Sequence, residues 1–381
     1  MIQSLELENF KCFEKIKIDF KNLTLLTGVN SGGKSSIIQS ILCMKQNFEI
    51  LNQFPDTIEM LKSKNYTDFS IGRIGTEGKY TKLGTANNLL YENAEDDFIS
   101  FRLTLEDKEK KKGSLFLKTQ IDKNNPKYLT IDNSASKIDF TKILVDEENF
   151  SYLSADRITP KLQYDYSKEN VLKGNLGNKG EYSIHYLAVN SNESLKLNEL
   201  KHPNSNSLSF RENVARWLER ISIGIDISSG VNDEMQYSYL KYSYNGGKEY
   251  FPQNVGFGIT YVLPIIITLL KAERGDIIII ENPESHLHPA AQAEIANLCC
   301  KVAAQGVQLI IETHSDHFLN AIRVAVKNKI IENADTQIYF FTKVEQKSIV
   351  EKISLDSNGK VDKWPKGFFD EWDIQLEKLL W

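Results

Sequence analysis

Leu23-Thr24-Leu25-Leu26-Thr27-Gly28-Val29-Asn30-Ser31-Gly32-Gly33-Lys34-Ser35 is the stretch from which the rest of the chain can be read. Leu23, Leu25 and Leu26 give a short strand signal that stops at Thr27-Gly28. Gly28 to Ser35 then fulfils the phosphate-loop pattern of two glycines with four residues between them, followed by Lys and Ser. Behind it, residues 36–52 carry Ile37, Ile38, Ile41, Leu42, Met44 and Phe48 close to helical spacing. Strand, glycine loop and helix form the setting such a loop requires. Its glycines let backbone N–H groups wrap phosphates at the positive end of the helix. Lys34 is expected to reach the β- and γ-phosphates and the Ser35 hydroxyl to ligate Mg²⁺, so ATP and Mg²⁺ are the expected cofactors.

Upstream, Ile2, Leu5, Leu7 and Phe10, then Ile16, Ile18 and Phe20, predict two more short strands. The chain has 381 residues, 41% hydrophobic and 25% charged, an ordinary globular balance with enough apolar material for a sizeable core. A net charge of −5 argues against a nucleic-acid binder that is basic over its whole surface, while leaving room for a local basic groove. Cys12, Cys43, Cys299 and Cys300 lack zinc-like spacing, and no leader is recognisable. They read as reduced thiols of a cytoplasmic protein. The longest apolar stretch, residues 261–270 with Pro264 inside it, is too short to span a bilayer and is expected to be a buried helix, so no membrane partner is expected.

Downstream, Ile277-Ile278-Ile279-Ile280-Glu281-Asn282-Pro283-Glu284-Ser285-His286-Leu287-His288-Pro289 begins as an apolar strand ending in an acid. This is a Walker B pattern, with the Glu281 carboxylate at the strand's C-terminal edge facing the metal. A helix over 289–304 and a second apolar strand over 307–311 follow. Apolar runs of this kind belong to a parallel sheet covered by helices on both faces. Glu312-Thr313-His314-Ser315 leaves that second strand, and His314 is placed to bond the γ-phosphate or the attacking water. Asn254-Val255-Gly256-Phe257-Gly258-Ile259 opens a helix just before Walker B, where a glycine turn is either a cap or a phosphate-binding loop; we favour the second. The His286/His288 pair lacks zinc spacing and reads better as a dimer-contacting loop.

Between these ends, residues 70–145 are expected to be β-rich, with Lys108-Glu109-Lys110-Lys111-Lys112-Gly113 as a solvated hairpin tip. Residues 160–250 are polar and hard to assign apart from a helix over 214–223. The motifs so far resemble those of an α/β P-loop NTPase of the ABC/SMC head type, which implies a mostly parallel sheet, an antiparallel β lobe and a partly helical insertion. The chain's expected parts are an N-terminal lobe (1–155), the insertion (156–250) and a C-terminal lobe (251–381).

Taken together, these motifs resemble the ABC-type ATPases of the SMC, RecF and OLD group. Leu7-Glu8-Asn9-Phe10-Lys11-Cys12-Phe13 looks like that group's opening segment, and the closest likeness is to small prokaryotic AAA-type ATPases with matching "VGFG", "ExPExHLHP" and "ETHS" motifs. Trp364-Pro365-Lys366-Gly367-Phe368-Phe369-Asp370-Glu371 matches their tail, with weaker echoes at 153–158 and 180–182. The resemblance implies that Lys11, Phe13, Asn30, Ser31, Gly32, Gly33, Lys34, Ser35 and Ser36 contact one nucleotide. Asn254, Gly256 and Gly258 of a second subunit would complete the site, and Ser35 and Glu281 would hold the metal. It also implies an isologous dimer around two ATP molecules. Such relatives act in antiphage defence beside a nuclease, fused or separate, and answer to DNA or a phage-derived trigger.

The chain departs from that pattern in two places. The 66 residues after Ser315 carry no paired-acid cluster of the Toprim kind, so no nuclease activity is expected here and a separate effector is. At Walker B, Asn282 stands where ABC ATPases carry the catalytic Glu, and an amide cannot take a proton from water. Either Glu284 substitutes as base, or hydrolysis is slow and ATP chiefly holds the dimer; Lys34, Glu281, Glu284 and His314 are the catalytic candidates. The alternatives are a stand-alone RecF-like DNA-repair ATPase and a nucleotide-dependent scaffold with negligible hydrolysis. No glutamine stands out as a Q-loop residue.

Overall fold

The computed structural model describes residues 1–50, 73–107, 110–122, 124–132, 134–138, 149–345 and 347–380. The chain forms two compact units. Unit 1 comprises residues 1–21, 28–149 and 340–351; unit 2 comprises 22–27, 150–339 and 352–381.

Unit 1 holds strands β1 (Ile2–Phe10), β2 (Phe13–Asp19), β4 (Arg73–Gly75), β5 (Phe98–Glu106), β6 (Lys112–Ile121), β7 (Tyr128–Ile131) and β8 (Lys137–Ile138). They pair antiparallel in the order β2-β1-β5-β6-β7-β4, with β8 on β6. Ile99, Phe101, Leu103 and Leu105 point to the covered face of β5 while Arg102 is exposed, the alternation of a sheet wet on one side. Helix α1 (Lys34–Glu49) belongs to this unit. The basic run expected as a hairpin tip joins β5 to β6; Lys108 and Glu109 lie outside the described residues, and Lys110, Lys111 and Lys112 are exposed.

Unit 2 holds most of a sheet ordered β15-β14-β3-β13-β12-β9, whose residues 28 and 340–351 are counted with unit 1. Here β3 is Leu23–Gly28, β9 Phe150–Leu153, β12 Ile277–Glu281, β13 Gln308–Glu312, β14 Thr336–Val344 and β15 Lys347–Ile353. Strands β3, β13, β12 and β9 are mutually parallel, so their C-terminal ends share one edge. Ile277 to Ile280 are all at least 98% buried, as an isoleucine run covered on both faces should be. Each such side chain contributes roughly 1.5–3 kcal/mol on leaving water. The helices are α2 (Lys168–Leu172), α3 (Ser183–Val189), α4 (Phe210–Glu219), α5 (Phe257–Lys271), α6 (Pro289–Ala304), α7 (Asp316–Lys327) and α8 (Glu371–Leu380).

Helix α5 contains the expected buried helix and keeps Pro264 in its interior. Helix α6 has the expected bounds: Pro289 opens it, and His288 caps it by accepting the Ala290 N–H at 3.3 Å on Nδ1. Two local expectations need correction. The helix expected at 214–223 runs from Phe210 to Glu219, because the apolar face begins at Phe210 and continues through Val214, Trp217 and Leu218. The stretch that resisted assignment contains an antiparallel hairpin, β10 (Ile225–Asn232) with β11 (Tyr237–Tyr244). No described helix is long and apolar enough to cross a membrane.

Candidate functional site

In unit 1 the phosphate loop is shaped by what stands behind it. Gly28 has φ +131° and Gly33 φ +107°, conformations that favour glycine. A Cβ on Gly28 would run into the backbone of Phe341, whose carbonyl accepts the Val29 N–H at 2.9 Å. A Cβ on Gly33 would meet the Phe13 ring and the Cys12 thiol, so the opening segment presses against the loop. Gly32 is buried, while Val29, Asn30, Ser31 and Ser35 are exposed and Ser36 is half-buried. Lys34 is buried and its Nζ donates to the carbonyls of Gly28 at 3.0 Å and Val29 at 2.9 Å. Lys11 has φ +52° and donates from Nζ to Gln39 Oε1 at 2.5 Å, and burial lowers its pKa. Cys43, fully buried, is pushed up to about 12, which fits an inert thiol.

In unit 2 the shared strand edge gathers the acids. Glu281 and Glu312 are neighbours in the β12–β13 ladder, and the Asn282 N–H donates to Glu312 O at 2.8 Å. The Glu281 carboxylate accepts from the Tyr152 hydroxyl on Oε1 and from the Ala155 N–H on Oε2, both at 3.1 Å. Burial nonetheless pushes its pKa above the usual carboxylate range. Asn282 takes φ +45°, and its buried Oδ1 has no partner among the described residues. Glu284 accepts the His314 N–H at 2.7 Å on Oε1, and its buried Oε2 has no partner among the described residues. Two of the candidates, Glu284 and His314, are thus joined directly.

The glycine turn lies at the start of α5, where Asn254, Gly256 and Phe257 are exposed. Gly258 differs from Gly256: a Cβ on Gly258 would collide with the His286 carbonyl, whereas one on Gly256 would meet only Ile259 at 3.8 Å. The His286 ring packs edge-on to Phe257 at 4.7 Å and to Tyr261 at 4.9 Å. No cluster of three or more metal-ligating side chains occurs among the described residues.

Three residues beside Glu281 escaped the sequence reading as site members: Tyr152, Ala155 and Arg157. The last two fall in the echo at 153–158, but nothing in that stretch announces that they reach Walker B. Each unit by itself carries donors suited to such a ligand: in unit 1 an N–H-lined loop at a helix start with a buried lysine and a hydroxyl suits phosphates, and in unit 2 the hard carboxylate oxygens of Glu281 and Glu284 suit Mg²⁺.

The family described as "AAA domain, putative AbiEii toxin, Type IV TA system" matches residues 23–320, and "Protein of unknown function (DUF3696)" matches residues 331–379. The OLD nuclease of Thermus scotoductus is 21% identical over 369 residues. The alignment takes in 93% of this chain and 66% of that protein, so the chain spans just under two thirds of that relative's length. An Smc head bound to the C-winged helix domain of ScpA has a TM-score of 0.51 at 12% identity, covering 93% of this chain and 98% of that one. An Smc head with an extended coiled coil, bound to the C-terminal domain of ScpA derived from Pyrococcus furiosus, has a TM-score of 0.50 at 13% identity, covering 100% and 99%. At such identities the likeness is one of fold: an ABC/SMC-type ATPase head.

Proposed function

Because the chain belongs to that AAA-domain family, whose ABC/SMC-like ATPases group with the OLD and RecF proteins, we propose that it binds ATP with Mg²⁺ and dimerises around it. In this reading the ATP-held dimer is a cytoplasmic sensor or scaffold that controls a separate effector, a nuclease, in antiphage defence. The observation that carries the reading is the phosphate loop, whose first glycine and helix-capping glycine leave no room for a side chain and whose lysine is already drawn over the loop. A nuclease effector is supported by the relative's name.

The residues divide the work. The loop N–H groups from Asn30 to Ser36 and the Lys34 ammonium hold the phosphates, with Lys11 and Phe13 flanking them, while Ser35 and Glu281 hold the metal. Mg²⁺, when bound, neutralises charge on the phosphate oxygens. Asn254, Gly256 and Gly258 of the partner face the nucleotide from the other side. Asn282 cannot take a proton from water, and Glu284 is held by the His314 N–H with one oxygen to spare. Turnover is therefore slow, and ATP works chiefly as the dimer's clasp; Asn282 equally favours the scaffold limit of this reading.

Light scattering with saturating ATP and Mg²⁺ should show a dimer; a chain that stays monomeric would sink the clasp. Asn282→Glu should raise turnover at least tenfold over a weak wild type. Brisk wild-type turnover abolished by Glu284→Gln would instead make Glu284 an efficient base.

A further inference from the structure

Arg157 is the largest side chain in the fully buried set, with 2% of its surface exposed. Its Nη1 donates to the carbonyls of Ser154 at 2.9 Å and Glu281 at 2.7 Å, and its Nη2 to that of Asn282 at 2.6 Å. Nε is buried and has no partner among the described residues, and no described carboxylate lies within ion-pair distance of the guanidinium. A buried cation held by carbonyl dipoles and an aromatic face, without an ion pair, costs desolvation that a well-packed apolar side chain would avoid. Stability is a poor reason for its presence.

Its geometry suggests another reason. All three carbonyls belong to the segments that flank the Glu281 carboxylate. Two of them come from the residue pair in which Asn282 adopts φ +45°, a left-handed conformation that persists only where its surroundings over-determine it. The guanidinium face lies 4.5 Å from the Tyr261 ring centroid, on the first turns of α5. The Tyr261 hydroxyl donates to Ala155 O, and the Ala155 N–H in turn donates to Glu281 Oε2. Walker B is thus held from its backbone by Arg157 and from its side chain by a loop that Arg157 and Tyr261 pin together.

We propose that Arg157 is a positioning residue of the nucleotide site: it fixes the Glu281–Asn282 turn so that the Glu281 carboxylate faces a divalent cation, with Tyr261 bracing the same loop from the glycine-turn helix. The proposal rests on the ATP–Mg²⁺ reading above. Neither residue touches nucleotide or metal, so their effect falls on metal uptake rather than on phosphate binding. Partners that orient a metal ligand typically account for about 10- to 100-fold in metal affinity.

The test titrates Mn²⁺ by electron paramagnetic resonance in the presence of a non-hydrolysable ATP analogue, beside binding of a fluorescent ATP analogue in EDTA and thermal melting. Arg157→Gln should keep metal-free nucleotide affinity within about threefold while weakening Mn²⁺ uptake about tenfold or more. Arg157→Lys should fall between, since an ammonium can reach one or two of the carbonyls but not span all three. A folded Arg157→Gln with wild-type Mn²⁺ affinity overturns the proposal. If Arg157→Gln does not fold, Tyr261→Phe decides instead. Loss of its single hydroxyl bond should weaken Mn²⁺ uptake about threefold at unchanged nucleotide affinity, and no change overturns the proposal. A wild-type protein that binds no nucleotide overturns the ATP reading and this proposal with it, whereas normal variants against a binding wild type overturn this proposal alone.

Discussion

Replacing Gly258 by alanine sets two opposing effects against each other. Gly258 lies in the first turn of α5, and on helix propensity alone Ala should stabilise by about 1 kcal/mol. The added Cβ would sit 2.3 Å from the His286 carbonyl oxygen, which is 0.7 Å inside the 3.0 Å that real Cβ atoms respect, and 3.2 Å from the carbonyl carbon. Both neighbours are backbone, so no side chain can swing away. His286 is already at φ +63°, and its turn is tied by Ser285 N–H to Asn282 O and by Leu287 N–H to Glu284 O. A clash with backbone lies in the upper part of the range for overpacking, about 2–3 kcal/mol, leaving a net loss of roughly 1–2 kcal/mol. Urea unfolding and melting curves of the metal-free protein read this directly. Gly256→Ala is the control: its Cβ meets only Ile259 at 3.8 Å and its φ is −55°, so stability should stay within about 0.5 kcal/mol. The variants should differ again in turnover. A displaced His286 turn carries Asn282 and Glu284 with it, so Gly258→Ala should lose at least tenfold. A Gly258→Ala protein as stable as wild type, or less perturbed than Gly256→Ala, would refute the claim that contact rather than backbone conformation requires this glycine.

Lys34→Ala removes the one ammonium drawn over the phosphate loop and should weaken nucleotide binding about 10- to 100-fold by fluorescence titration; full affinity would overturn the site assignment. Glu281→Gln should affect metal-free stability in a pH-dependent way. Burial raises the Glu281 pKa, so the folded state holds its proton more firmly than the unfolded chain does. The stability this group contributes is fully present below the unfolded carboxylate value and is lost as pH rises through the folded value. Gln, neutral throughout, can still accept the Ala155 N–H and face the Tyr152 hydroxyl with its amide. The variant should therefore gain on wild type, by on the order of 1 kcal/mol, as pH rises from the ordinary carboxylate value of about 4 through the raised folded-state value. A constant difference across that range would show that Glu281 does not couple to folding.

How much of this was legible in the sequence depended on where each signal was stored. Strand β12 could be read because four buried isoleucines leave no alternation to misinterpret, and α6 because Pro289 and the His288 cap mark its start. The phosphate loop could be read because its constraint is local glycine chemistry. The β10–β11 hairpin could not: its buried positions Ile225, Ile227, Ser238, Leu240 and Tyr242 alternate with half-buried tyrosines and serines, so the two faces differ little in polarity. Arg157 was hidden for another reason. Its burial depends on carbonyls more than a hundred residues along the chain, and arginine is ordinarily a surface residue. The different demands on Gly256 and Gly258 were likewise invisible, because they come from the His286 carbonyl and not from the glycine turn itself.

The backing of Gly28 by the Phe341 backbone bears on how the chain is made. The loop leaves the ribosome some three hundred residues ahead of the strand that stands behind it. At ~5–20 residues per second, that interval is about 15–60 s. Throughout it the nascent chain carries a complete phosphate-loop motif with Phe13 and Cys12 against Gly33 but no backbone behind Gly28. Nucleotide binding through this loop is therefore an ability that the polypeptide acquires only once residue 341 has emerged, and products of translation truncated before it would carry the motif without the backbone that shapes its first glycine.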